Sequence, residues 1–168
     1  MTAETEKLLD DTGWQLLQAM QRNARLSFSE LGKQVGLSAS AVAERIRRME
    51  DAGIIRGYRV EIDPARVGLP IMAFIHINTP SNKPYSYFAA AAKEIAEVLE
   101  CHQITGSDSM IMKVAVSSVK HLETLISRLS VYGRPTTSIV LSTQVAQGFI
   151  TPQSLLDAQA AEREETQK

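Results

Sequence analysis

The stretch from Ser27 to Arg59, SFSELGKQVGLSASAVAERIRRMEDAGIIRGYR, constrains this chain more than any other. Ser27 followed by Glu30 is a capping box: the hydroxyl accepts from the Glu30 amide, and the carboxylate reaches back to the Ser27 amide. Leu31 and Val35 supply the apolar side of the helix that follows. Gly36 can take the left-handed conformation that stops a helix, and Leu37 can plug the corner. Ser38 is placed to cap a second helix, and Val42, Ile46 and Met49 recur at helical spacing as its buried stripe.

Stepping 100° per residue from Val42 turns Ser40, Glu44, Arg47 and Asp51 away from the core, with Arg48 beside them and Arg45 on the flank. Ser38, Ala39, Ser40 and Ala41 are small enough for close approach to a nucleic-acid groove. The arginines can meet phosphates or guanine edges. Two short helices at a tight turn, the second spanning Ser38–Ala52, fit a helix-turn-helix with its recognition helix. An ordinary helical hairpin with a solvated charged face fits the same residues, and the pattern alone leaves both open.

Charge distribution separates them better than total charge. The 168 residues carry a net charge of −1, which excludes a uniformly basic nucleic-acid binder. Between Arg22 and Arg59, however, eight basic residues face four acids, so this segment is +4 and the remainder −5. A basic footprint confined to one module is what groove reading requires. A lone Cys101 excludes an intrachain disulfide framework. No apolar run approaches membrane-spanning length, and MTAETEKLLDD lacks the layout of a signal peptide. The expectation is a cytoplasmic protein with no membrane partner.

Along the chain, residues 1–7 read as polar and disordered. Leu9–Met20 reads as a helix whose apolar face is Trp14, Leu17 and Met20, widened by Leu16, with Trp14 in the core. Gly13 inside it weakens it by roughly 1 kcal/mol relative to alanine. Ile54–Ile62 reads as a β-hairpin or wing whose Arg56 and Arg59 either touch phosphates or stand solvated. Asp63-Pro64 and Val67-Gly68-Leu69-Pro70 mark a hinge. Beyond it, strands are expected at Ile71–Thr79, Val98–Thr105, Met110–Val116 and Thr136–Ala146. A helix starting with Pro84 at its first position carries Tyr85, Phe88, Ala89, Ala92 and Ile95 on one face. Ser117 or Ser118 caps a second helix carrying Leu122, Leu125, Ile126 and Leu129. This β-α-β-β-α-β order is that of a ferredoxin-like sandwich. The expected organisation is therefore α+β: a winged helix-turn-helix domain at 1–62, a hinge at 63–69, a ferredoxin-like domain at 70–150 and a polar tail at 151–168.

These halves in this order resemble the Lrp/AsnC family of feast/famine transcriptional regulators. The resemblance rests on Leu9-Asp10, on Gly36-Leu37-Ser38 through Val42, on Glu44-Arg45-Ile46-Arg47-Arg48-Met49-Glu50, and on Gly53, Ile55 and Gly57-Tyr58. In the second half it rests on element order and Thr105-Gly106-Ser107-Asp108. Two departures stand out. The family usually has an aspartate where this chain has Gly13. Its sensing loop often carries an aromatic before the aspartate, which Gly106-Ser107-Asp108-Ser109 lacks.

The resemblance implies a regulator that binds double-stranded DNA, dimerises through the second domain and the arm strand, and assembles further, often to octamers. It also implies a ligand-sensing (RAM) domain with a small effector, usually an amino acid. For DNA, the residues are Ser38, Ala39, Ser40 and Arg47 at or near bases, with Lys33, Arg45, Arg48 and Arg56 on phosphates. For an amino acid, Asp108 would accept the ammonium, while Gly106 amides and the hydroxyls of Ser107 and Ser109 would serve the carboxylate. Thr136, Thr137 and Ser138 add hydroxyls from the last strand. A hairpin turn capped by Asp108 is the plain alternative.

His76, His102 and His121 show no metal-ligand spacing, and neither a metal nor a cofactor is expected. Siroheme decarboxylases resemble the same family and give an enzymatic alternative. Their multiply carboxylated substrate would want arginines, and only Arg128 and Arg134 occur between residues 70 and 150. An effector-independent DNA organiser is a third reading.

Overall fold

The computed structural model describes residues 3–79, 85–146 and 148–166. The chain forms two compact units. The first combines residues to Val60 with those from Val145 onward, and the second runs from Glu61 to Gln144. The C-terminal segment thus joins the first unit as a helix, where a short helix fraying into a polar tail was expected.

In the first unit, α1 (Ala3–Leu8) and α2 (Asp11–Arg22) break at Leu9-Asp10. They are followed by α3 (Phe28–Val35) and α4 (Ala39–Asp51). The residues expected to be disordered therefore include α1. Both sides of the Ser27–Glu30 capping box form, with the Ser27 amide donating to Glu30 Oε2 at 2.7 Å. Gly36 closes α3 at φ 72°, and Ser38 Oγ accepts from the Ala41 amide at 3.2 Å to start α4. Val42, Ile46 and Met49 are buried as the spacing predicts. With Leu16, Ala19 and Leu31 they fill the core, each large aliphatic contributing about 1.5–3 kcal/mol by leaving water.

The inward face of α2 differs from the expected one. Gly13, Leu16 and Ala19 are its buried residues, whereas Trp14, Leu17 and Met20 are only half-buried. The cause is Gly13. A Cβ there would lie 1.9 Å from the Leu8 carbonyl oxygen and 3.1 Å from Met49 Cε, so only glycine lets these backbones meet. That contact turns the Gly13 side of α2 inward and leaves Trp14 on the flank.

Asp10 sits at the same corner. Its Oδ1 accepts from the Gly13 amide at 2.8 Å, capping α2, and also pairs with the Arg45 guanidinium on α4. Burial pushes the Asp10 carboxyl up, but the Gly13 amide and Arg45 together outweigh it and hold it below its usual 3.8.

The segment Ile54–Ile62 forms no hairpin. After α4 it runs without a ladder, and Val60 is 87% exposed. A strand needs a neighbour to satisfy its amides, and none of the described residues provides one. At the far end, α7 (Pro152–Thr166) follows a two-way amide bridge: Gln21 Nε2 donates to the Ile150 carbonyl and Gln21 Oε1 accepts from the Ile150 amide, both at 2.9 Å.

The second unit contains β1 (Ile71–Asn78), α5 (Tyr85–Lys93), β2 (Val98–Gln103), β3 (Met110–Val116), α6 (Val119–Leu129) and β4 (Arg134–Ile139). The sheet order is β2-β3-β1-β4 with antiparallel neighbours, the arrangement expected of the split βαβ pattern. Ala73, Ile75 and Ile77 of β1 and Met112, Val114 and Val116 of β3 pack on Ala92, Ile95, Leu122, Leu125 and Leu129. Ser118, rather than Ser117, caps α6 by accepting from the His121 amide at 3.1 Å.

The last strand stops at Ile139 instead of Ala146. Val140 makes one more bond to the Met72 carbonyl at 2.9 Å. Beyond it β1 has run out, because Pro70 has no N–H to offer. The turn at residues 81–84, with its expected Pro84, and the Tyr85 side chain lie outside the described residues.

Two outcomes follow from the Gly13 corner. Helix propensity alone would have Gly13→Ala gain about 1 kcal/mol. The overlap with Leu8 should instead cost about 1–3 kcal/mol, read as a lower denaturant midpoint for the full chain. Because folding lowers the Asp10 pKa, its contribution is present above pH 3.8 and is lost as pH falls through the lower folded value. Acid unfolding should therefore be less steep in Asp10→Asn than in the parent, measured by far-UV circular dichroism from pH 6 to about 2.

Candidate functional site: nucleic-acid interface and effector loop

Helix α4 presents an open N-terminal turn. Ser38, Ala39, Ser40 and Ala41 are all exposed, and Ser38 Oγ lies 3.1 Å from Ser40 Oγ. Nothing bulky stands on this turn, so a backbone or a base edge can approach closely. Lys33, in the last turn of α3, is exposed nearby in sequence.

The arginines are not equivalent. Arg47 is exposed but clamped along its own helix. Its Nε and Nη2 donate to Glu44 at 3.1 and 2.8 Å, and Nη1 to Asp51 at 3.0 Å. The Glu44 hydrogen bond raises the Arg47 pKa further, and the same contact holds the Glu44 carboxyl below its usual 4.5. The clamp holds the guanidinium along the exposed face of α4, between Glu44 and Asp51, with the side chain 61% exposed. Arg48 lies 3.7 Å from Glu4 of α1, a solvated pair of little energetic weight.

Arg45 faces inward. Besides its pair with Asp10 it reaches the Lys7 carbonyl at 3.5 Å, and its side chain is 23% exposed. A phosphate contact was expected of Arg45, but its guanidinium is committed to holding α1 and α2 against α4. Arg56 is exposed on the segment after α4, with no ion-pair partner among the described residues. Beside it, Tyr58 donates to Glu50 Oε1 at 2.9 Å, and burial together with that carboxylate pushes its phenol up to about 12.

In the second unit the loop Gly106–Ser109 joins β2 to β3 and is pinned to β1. The Ser109 amide donates to the Ile77 carbonyl at 3.0 Å, and Ser109 Oγ accepts from the Thr79 amide at 3.3 Å. Asn78 Nδ2 donates to the Ser107 carbonyl at 2.5 Å. Asp108 Oδ2 lies 3.5 Å from His76 Nδ1, and each side chain is about one-third exposed. The Asp108 carboxylate is therefore accessible and fixed in place.

Strand register decides which hydroxyls can join it. Thr136 pairs with His76 and Ser138 with Phe74, so both lie on the helix-free face of the sheet with His76. Thr137 pairs with Ile75, whose side chain is buried in the core. Thr137, also expected at the site, therefore lies on the opposite face of the sheet from His76. Two residues were missed, His76 and Asn78. Only the β1–β3 and β1–β4 registers bring them to the loop, and no local motif signals this.

Cys101 and His102 fall on opposite faces of β2, since Cys101 pairs with Met112 and His102 with Ile111. Burial pushes the Cys101 thiol up. Among the described residues no cluster of three His, Cys, Asp or Glu could hold a metal, and no helix is long and apolar enough to cross a membrane.

Family models match both units: an AsnC-type helix-turn-helix domain at residues 9–50 and an Lrp/AsnC ligand binding domain at residues 72–148. The uncharacterized HTH-type transcriptional regulator YezC of Bacillus subtilis is 43% identical over 134 residues, covering 80% of this chain and 94% of its own. The feast or famine regulatory protein of Mycobacterium tuberculosis, solved in complex with L-methionine, superposes with a TM-score of 0.80 at 33% identity, over 86% of this chain and 99% of that one. A transcriptional regulator of Neisseria meningitidis, solved in complex with L-Met, gives 0.80 at 30% identity over 88% and 99%. The relatives are regulators rather than enzymes, so the tetrapyrrole-decarboxylase alternative is not favoured. With a helix-turn-helix unit and a ligand-binding unit matched in order, the chain belongs to the Lrp/AsnC family of transcriptional regulators.

Proposed function

We propose that this chain is a cytoplasmic, sequence-specific DNA-binding regulator whose operator binding or assembly responds to an amino acid. The observation that carries the DNA half is the open turn of α4, with small exposed residues at Ser38–Ala41 and the exposed Arg47 further along the same helix, where DNA would compete with Glu44 and Asp51 for its guanidinium. The turn enters a major groove, Ser38, Ala39, Ser40 and Arg47 reach bases, and Lys33, Arg48 and Arg56 hold phosphates. Arg45 is left out because Asp10 already holds it. A two-fold dimer places two such helices on half-sites about one helical turn apart, giving a pseudo-palindromic operator. Assembly beyond the dimer, to an octamer, is part of the same reading.

The effector half rests on the pinned loop. Asp108 takes the ammonium of the amino acid, while Gly106, Ser107 and Ser109, with Thr136 and Ser138 from β4, supply partners for its carboxylate. Solved neighbours in complex with L-methionine make methionine the first compound to try.

Two variants test the halves separately. Arg47→Ala should cost about 1–3 kcal/mol of operator affinity and relax the sequence preference; a footprint equal to that of the parent would remove Arg47 from the base contacts. Asp108→Ala should keep operator binding and lose the thermal shift given by whichever of the twenty amino acids stabilises the parent. If the variant still shifts, Asp108 is not in the site.

A further inference from the structure

The half-buried face of α2 borders a cavity of about 480 Å³ that lies wholly within the DNA-binding unit. Trp14, Leu17 and Met20 form one wall, Ile55 and Tyr58 a second, and Leu155 of α7 a third. The volume falls in the range of small-molecule sites, about 300–1,000 Å³. Its polar side chains are few: Gln21, Tyr58, the Trp14 indole N–H, Arg56 and Arg59, and Tyr58 already gives its hydroxyl to Glu50. Gln21 spends its side-chain amide on Ile150, which leaves the indole N–H, Arg56 and Arg59. No Asp or Glu lines the cavity, and among the described residues neither arginine has an ion-pair partner.

We propose that this cavity binds an apolar monocarboxylate, its hydrocarbon against Trp14, Leu17 and Met20 and its carboxylate on Arg56 and Arg59. Complementarity selects the class. A cation would meet two like charges, with no lining carboxylate to offset them. A neutral hydrocarbon would leave both guanidiniums without a partner. A small polar anion would leave the apolar walls facing water. A carboxylate on an apolar body satisfies both ends, and Arg–carboxylate pairing adds charge-assisted hydrogen bonds.

The location gives the ligand a consequence. Arg56 is a proposed phosphate contact, so a carboxylate bound there competes with the DNA backbone for the same guanidinium. The occupant would weaken operator binding from within the DNA-binding unit, without involving the loop at Gly106–Ser109. This site and the amino-acid site therefore stand or fall separately.

Trp14 is the only tryptophan of the chain and lines the cavity, so it reports occupancy directly. The full-length protein is titrated with octanoate and with 1-octanol, following Trp14 emission and, on the same samples, calorimetric heat. Octanoate should bind saturably at one per chain, and 1-octanol roughly tenfold or more weakly, the loss expected for a charge-assisted contact. Arg56→Gln with Arg59→Gln should bring octanoate down to the octanol level. Ala24→Phe, which fills the exposed mouth without touching the core, should abolish the response. Octanoate should also release operator DNA from the parent but not from Ala24→Phe, which keeps both arginines. No saturable heat or emission change with octanoate would overturn the proposal. So would equal binding of octanoate and octanol. An octanoate response that appears only on dilution would overturn it as well, because the cavity would then belong to a second copy of the chain.

Discussion

The first unit depends on one carboxylate. Asp10 ends the break between α1 and α2, caps α2 through the Gly13 amide and holds Arg45 of α4. A cap alone is worth about 1 kcal/mol, and an exposed ion pair less. Combined in a single side chain, they fix the angle at which the recognition helix leaves the core. The Arg45 guanidinium also reaches the Lys7 carbonyl, so both α1 and α2 register on α4. The orientation of α4 is set from behind, by Asp10 and by the Lys7 carbonyl that Arg45 reaches.

This arrangement explains why glycine stands at residue 13. The Leu8 carbonyl and Met49 close on that position, and the space for a side chain is gone. The same closeness leaves Trp14 and Leu17 on the flank, lining the cavity, while Met20 lines it and still packs against the core.

Local features of the fold were legible in the sequence, and features that need a distant partner were not. The caps at Ser27 and Ser38, the Gly36 stop and the stripe Val42-Ile46-Met49 each lie within a few residues of what they act on. Strand β3 was readable for a similar reason, since its alternation spans its full length. The choice between two adjacent faces of α2 needed knowledge of Leu8 and Met49. The partner of Arg45 lies 35 residues away. The orientation of Thr137 needed the register with β1, which no window on β4 contains. Ile54–Ile62 has strand composition but, among the described residues, no neighbour, so composition alone overstated it. The candidate site divided in the same way: Asp108 stood out as a loop carboxylate, whereas His76 and Asn78 reach it only through pairing across the sheet.

The return of the C-terminal segment to the first unit has a bearing on biosynthesis. The sensor unit is one continuous stretch, Glu61–Gln144, and has all its residues once that stretch leaves the ribosome. The DNA-binding unit begins first yet needs Ile150 and Leu155, which follow the whole sensor stretch in the chain. Domains usually fold as units in the order of synthesis. Here the order is interrupted: the unit begun first is closed only by residues that follow the whole of the second.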